Sequence, residues 1–386
     1  LKPRPYLQIP GPTNIPETVL SELSKPPINH RGKEFEDIVE KCLNDLKEVF
    51  KTRNDVLLFP SSGSGVLESA VVNLFSPDDK VITSCIGVFS ERMNTICEKF
   101  GLKTIKIKKV WGEAITPDDI EKILLEDVDK EIKGVFIPHN ETTTGVTCDI
   151  DGISKVIKKL FHPALLIVDA ISSLGCLPLE TDMWDIDVVI SASQKGLMLP
   201  PGLGVVSLND KAWAMYEIST LSKWYWDYKM VKEKLLSFQM PYTPPTNLLF
   251  GLKESLSLLL EEELENVWNR HRLMASSVRA AIKALGLELL ANEDISSDTV
   301  TAVLLPESIS YSRLSSVLKE QYNITIGGGL SNLQGKIFRI GHMGSIHHLD
   351  ICAIISGLEM ALYELGHEFE LGAGVREVQK TFLKIY

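Results

Sequence analysis

The sequence has no CxxC pair, no apolar run of membrane-spanning length and no surplus of positive charge. Its six cysteines, Cys42, Cys85, Cys97, Cys148, Cys176 and Cys352, are scattered along 386 residues, which excludes a disulfide-stapled framework. Most lie in apolar stretches, where a reduced thiol serves as a small hydrophobe. The eight histidines form no HExxH or other zinc-like spacing, so no catalytic metal is expected. No stretch approaches the ~18 apolar residues of a membrane span. The first twenty residues carry Pro3, Pro5, Pro10, Pro12 and Pro16 in place of an apolar export core. A reducing, cytoplasmic compartment is the expectation. Forty Lys and Arg against 51 Asp and Glu give a net charge of −11, so no global positive field draws phosphate backbones or anionic lipid. Neither nucleic acid nor membrane is an expected partner.

What is present is an ordinary globular composition, 44% hydrophobic and 24% charged, with enough length for two or three units. Short β-branched runs at 56–59, 81–84, 104–107, 134–137, 165–169, 188–191 and 204–207 alternate with helical patterns at 66–75, 90–100, 117–125 and 153–160. That alternation predicts an α/β unit with a mostly parallel seven-stranded sheet flanked by helices. A long helical pattern follows from Asn247 through Leu256, Leu260 and Val267 toward Leu285, ahead of Gly286. Beyond it, strands at 299–305 and 336–340 and helices at 311–321 and 348–365 read as a smaller α+β unit. The expected division is an extended, proline-rich arm at 1–18, a large domain at 19–258 and a small C-terminal domain at 259–386.

Three local features carry chemistry. Ser61, Ser62, Gly63, Ser64 and Gly65 stand between a strand and an apolar helix, where unpaired N–H groups, hydroxyls and the helix N-terminus suit a phosphate. A plain strand-to-helix turn with a serine cap fits the same residues. Asp169 ends one apolar strand and Lys195 follows the next, at the sheet edge where open α/β folds bind ligands. Alone, either residue could equally form a structural ion pair. Neither GxxxxGK[ST] nor a complete dinucleotide fingerprint is present.

The order of phosphate cup, strand-end acid and strand-end amine matches pyridoxal 5′-phosphate (PLP) group by group. The phosphate takes the cup, a carboxylate keeps the pyridine nitrogen protonated, and a lysine amine takes the aldehyde. A phosphate-ligand binding protein, in which Lys195 never joins a carbonyl, is the rival from another class.

With these motifs the chain resembles class V of the PLP-dependent aminotransferases, within fold type I, and most nearly the alanine/serine:glyoxylate or serine:pyruvate branch. The matching stretches are PGPTNIPE (10–17), SSGSGVLESAVVNL (61–74), HNETTTGV (139–146), LLIVDAISSLG (165–175), SASQKGLMLPPGLG (191–204), YTPPTNLLFGL (242–252) and GKIFRIGHMG (335–344). The resemblance implies that Lys195 is the Schiff-base lysine and proton shuttle and that Asp169 faces the pyridine nitrogen. It implies Ser62, Gly63, Ser64 and Gln194 at the phosphate, Phe89 and Ile171 on the two ring faces, and Thr142 at the ring hydroxyl. Thr243 would reach the phosphate of a second subunit, making a homodimer with shared sites. Arg339 would grip the substrate α-carboxylate, and Gly11 would lend backbone beside it. The implied reaction is ping-pong transamination between serine or alanine and pyruvate or glyoxylate. Pyridoxamine:pyruvate and ureidoglycine:glyoxylate transamination, and a cysteine desulfurase-like activity, are the alternatives. A desulfurase needs a nucleophilic cysteine near the substrate arginine, and none lies between Tyr311 and Arg339.

Overall fold

The β-branched runs between residues 55 and 208 pair into one sheet, and their order decides where a ligand can sit. The structure, a computed structural model, describes residues 4–384; the first three residues of the expected arm and residues 385–386 of the expected small domain lie outside the described residues. Tyr6–Gln8 (β1) joins a second sheet described below. The main sheet takes Asp55–Ser61 (β2), Lys80–Cys85 (β3), Lys103–Lys108 (β4) and Ile132–Pro138 (β5). After a small hairpin of Asn140–Glu141 (β6) and Val146–Thr147 (β7) come Leu165–Asp169 (β8), Val188–Ala192 (β9) and Gly202–Leu208 (β10).

The strand order is β2-β10-β9-β8-β5-β3-β4. β4, β3, β5, β8 and β9 are mutually parallel, and β10 runs antiparallel to β9 and β2. All seven expected strands are present. Every residue of β8 and β9 is buried, which is the pattern of strands covered by helices on both faces. Phe59, Phe75 and Phe136 fill the space between sheet and helices, each at most 1% exposed, and each such side chain contributes about 1.5–3 kcal/mol.

Because β10 is antiparallel to both neighbours, β2 runs the same way as the five parallel strands. The C-terminal ends of β2, β3, β5, β8 and β9 therefore open on one edge of the sheet. The segments that follow them are the Ser62 loop, the Phe89 turn, the 139–146 hairpin, Asp169 itself and the Lys195 loop.

The long helical pattern divides into Thr246–Glu262 and Leu264–Ala284 at Glu263, which has φ +65°. Three consecutive carboxylates, Glu261, Glu262 and Glu263, stand at the first helix's C-terminus, where negative charge opposes the helix dipole. The last of them is left-handed and turns the chain.

The second sheet contains Val300–Leu304 (β11), Ile324–Gly328 (β12) and Ile337–Gly341 (β13), in the order β1-β12-β13-β11. β12 and β1 extend the sequence reading. In the arm, Tyr6, Leu7 and Gln8 pair in parallel with Ile324, Thr325 and Ile326, and an edge position tolerates the prolines around them. Residue 258 lies inside the Thr246–Glu262 helix. Core membership changes along the next helix, whose Leu264 and Val267 join the large core while Met274, Val278 and Ile282 join the small one. Among the described residues, no helix is long and apolar enough to cross a membrane.

Candidate active site

Lys195 sits in the loop after β9 and is buried, with Nζ donating to the Pro10 carbonyl oxygen. The arm is pinned against this loop: Thr13 N donates to Gln194 O at 3.2 Å and Thr13 Oγ1 to Lys195 O at 3.0 Å. Gly11, at φ +96°, passes so close that a Cβ there would lie 2.5–2.7 Å from Nζ, Cδ and Cε of Lys195. Burial brings the amine down to about 8, the Arg339 charge adds to the fall, and Asp169 opposes it. A measurable fraction of this lysine is neutral at pH 7, as carbonyl chemistry requires.

Asp169 ends β8. Its Oδ1 accepts from Ile171 N at 2.9 Å, and burial pushes the carboxyl up to about 7 against that hydrogen bond. Such a carboxylate lacks a cation, and a protonated ring nitrogen is one that would restore its charge. Ile171 then packs toward the cup: a Cβ at Gly63 would lie 2.7 Å from Ile171 Cδ1.

The Gly63–Leu74 helix begins three residues before the expected position, so the cup is its first turn. Ser62 is its N-cap, with Oγ accepting from Gly65 N at 3.4 Å. The Gln194 side-chain oxygen is buried without a hydrogen-bond partner, an arrangement that costs about 1–3 kcal/mol unless a ligand relieves it. A neutral cup at a helix N-terminus, an uncommitted amide, a cation-deficient acid and a partly neutral lysine fit PLP.

Arg339, on β13, is 6% exposed. Nε donates to Gly328 O and one terminal nitrogen to Thr142 O, both at 2.9 Å. The other terminal nitrogen has no protein acceptor among the described residues, which leaves its donors available to a carboxylate. Thr142 Oγ1 donates to Ser172 Oγ at 2.8 Å, and Ser172 Oγ to Asn140 O at 3.0 Å. Phe89 lies in the first turn of the Val88–Lys99 helix. Within one chain the structure thus brings together Lys195, Asp169, Ile171, Gly63 and Gly11, with Gln194 on the adjoining loop, Ser62 and Ser64 at the start of the cup helix and Thr142 tied to Arg339. Thr243 is exposed in the single chain and is not part of this group.

Two residues escaped the sequence reading. Glu141 is fully buried, its Oε2 accepting from Ser90 N and Oε1 from Thr143 N, both at 2.9 Å. It occupies the room left by Gly87, whose Cβ would overlap its carboxyl group. Arg92 donates to Ser64 Oγ at 3.0 Å. Their signals were an acid inside ETTTG and an arginine three residues after Phe89. The thiols offer no nucleophile: Cys176, near Lys195, is pushed up to about 12 by burial. No group of three His, Cys, Asp or Glu side chains among the described residues is placed to hold a metal.

The aminotransferase class-V family matches residues 5–346. The chain is 40% identical over 379 residues to the serine–glyoxylate aminotransferase of Methylorubrum extorquens, spanning 96% of this chain and 94% of that one. It is also 40% identical over 382 residues to a protein named soluble hydrogenase, small subunit, from Synechococcus, spanning 99% of each. Among solved structures, pyridoxamine-pyruvate aminotransferase from Mesorhizobium loti matches with a TM-score of 0.94 at 26% identity, over 100% of this chain and 98% of that one. The matched stretch runs from before Gly11 to beyond Arg339, over a sheet edge whose residues fit PLP, and the chain belongs to the class V aminotransferases, PLP-dependent enzymes of fold type I.

Proposed function

We propose that the protein transfers the amino group of a small L-amino acid, serine or alanine, to a small 2-oxo acid, glyoxylate or pyruvate, in two half-reactions at one site. The observation that carries this reading is the convergence of a partly neutral Lys195 and a cation-deficient Asp169 at one sheet edge with an Arg339 that reaches the adjoining 139–146 hairpin from β13. When bound, PLP supplies a carbonyl for amines and an electron sink for the bond that breaks at Cα. Asp169 holds the proton of the ring nitrogen. Arg339 takes the substrate carboxylate in a planar two-donor grip, which fixes the direction of the Cα–H bond. Lys195 Nζ would be the base for that Cα proton. Gly11 leaves only backbone beside Lys195, where a Cβ would overlap the amine.

The relationship to pyridoxamine-pyruvate aminotransferase supports a second reading, with pyridoxamine as donor. The desulfurase reading loses support because the thiol near Lys195 is held protonated by burial. The site is completed, in this proposal, by Thr243 from a second copy of the chain, and the six unpaired cysteines support a reducing, cytoplasmic setting.

The test is borohydride reduction of the PLP-loaded protein, which should fix the cofactor's mass on Lys195. Adding L-serine or L-alanine without acceptor should then abolish that fixation by converting the cofactor to its amine form. Loss of fixation with pyridoxamine in place of the amino acid, again without acceptor, would select the second reading, and no fixation at all would sink both.

A further inference from the structure

The phosphate of PLP brings nearly two negative charges into the site at neutral pH. The groups gathered at the cup, Ser62, Gly63, Ser64 and Gln194, are all neutral, and a helix N-terminus supplies roughly half a positive charge. Lys195 Nζ is engaged with Pro10 O, and Arg339 is tied to Gly328 O and Thr142 O. Arg92 stands apart from both. Its NH1 donates to Ser64 Oγ at 3.0 Å, inside the first turn of the cup helix. Its guanidinium carbon lies 5.0 Å from the centroid of the Phe89 ring, three residues earlier on the same helix face. Arg92 is exposed and forms no ion pair with a carboxylate among the described residues, so the cup hydroxyl and the aromatic face are what hold it. A guanidinium stacked on a ring is pre-oriented, and its fork matches phosphate oxygens. Its positive charge is also felt at the reaction centre, where it helps lower both Lys195 and Asp169.

We propose that Arg92 is the cationic partner of the cofactor phosphate, held over the cup by Ser64 and Phe89. This rests on the PLP reading above. Arg92 contributes charge where the cup has only dipoles, and it couples phosphate binding to the aromatic residue assigned to the ring face.

The test compares PLP with pyridoxal, which has the same ring and aldehyde but no phosphate. Dissociation constants are measured by equilibrium dialysis on cofactor-free wild type, Arg92→Gln and Arg92→Lys. The thermal shift given by inorganic phosphate alone is recorded alongside. Arg92→Gln is expected to weaken PLP about 10- to 100-fold, the range of a charge-assisted hydrogen bond, and to leave pyridoxal within about twofold. It should also abolish the phosphate-induced thermal shift, and Arg92→Lys should recover part of each. Unchanged PLP binding in Arg92→Gln would overturn the proposal, leaving a surface arginine. Equal weakening of PLP and pyridoxal would overturn it too, placing the effect at Phe89. Failure of the wild type itself to bind PLP would instead overturn the cofactor reading beneath it.

Discussion

A carboxyl group at the closed end of a buried strand loses hydration on folding, and Asp169 carries the consequence. Burial raises it from its ordinary 3.8 to about 7. Between those values the folded, cofactor-free chain binds a proton that the unfolded chain has released, so stability falls as pH rises through that window. A cationic ring nitrogen reverses the effect by favouring the carboxylate. Asp169→Asn should therefore melt above wild type at pH 8 and close to it at about pH 4 when cofactor is absent. The variant should also lose the stabilisation that PLP gives the wild type. Calorimetry at both pH values with and without PLP reads this, and equal melting at pH 8 would show that the carboxylate is satisfied within the protein. Lys195 shifts the other way, down to about 8, with Arg339 the second cause after burial. Capture of PLP, followed by borohydride-fixed mass against pH, should rise with an inflection near 8, and Arg339→Leu should move that inflection upward. An inflection that stays put would assign the shift to burial alone.

At the scale of elements, Glu141 fastens the 139–146 hairpin to the start of the Val88–Lys99 helix by accepting from Ser90 N, while its other oxygen accepts from Thr143 N within the hairpin. Glutamine offers one acceptor where the carboxylate offers two, so Glu141→Gln leaves one buried N–H unpaired. A loss of about 1–3 kcal/mol of stability in urea unfolding is expected, together with weaker PLP binding as the turn carrying Phe89 loosens. Unchanged stability would mean that the helix start finds another acceptor. The seven strands of the main sheet were legible in the sequence because β-branched runs set between helical patterns are local properties. Asp169 and Lys195 were legible for the same reason, standing at the ends of strands that announce themselves. Glu141 was not, since its burial depends on Gly87, a residue 54 positions away whose missing side chain makes the room. β1 was equally hidden: three residues acquire a strand's conformation only against β12, over 300 positions later. The break at Glu263 interrupts a hydrophobic period that continues on both sides, and periodicity carries no record of a single left-handed residue.

Across the whole molecule, the surface beside the cup is unusually aromatic. Trp224 is 72% exposed, Tyr242 stacks on Tyr225 at 4.6 Å between ring centroids, and a Cβ at Gly65 would touch the Trp226 ring. Thr243 follows Tyr242 directly and is itself exposed. An aromatic surface of this kind next to the proposed phosphate cup is what a second copy would cover, and a symmetric pair would then exchange Thr243 residues. The exchange is testable by complementation. Lys195→Ala removes the amine from its own site, while Thr243→Val, if the threonine crosses the interface, damages the site of the other subunit. Mixing and re-associating the two variants would put an intact Lys195 and an intact donated Thr243 together in one of the two sites of each heterodimer. With half the dimers mixed, transaminase activity at limiting PLP should recover to about a quarter of wild type, well above either variant alone. If Thr243 serves its own chain, every site in the mixture that keeps Lys195 also carries the Thr243→Val defect in cis and no recovery follows, because the threonine and the lysine would then have to be intact on the same polypeptide.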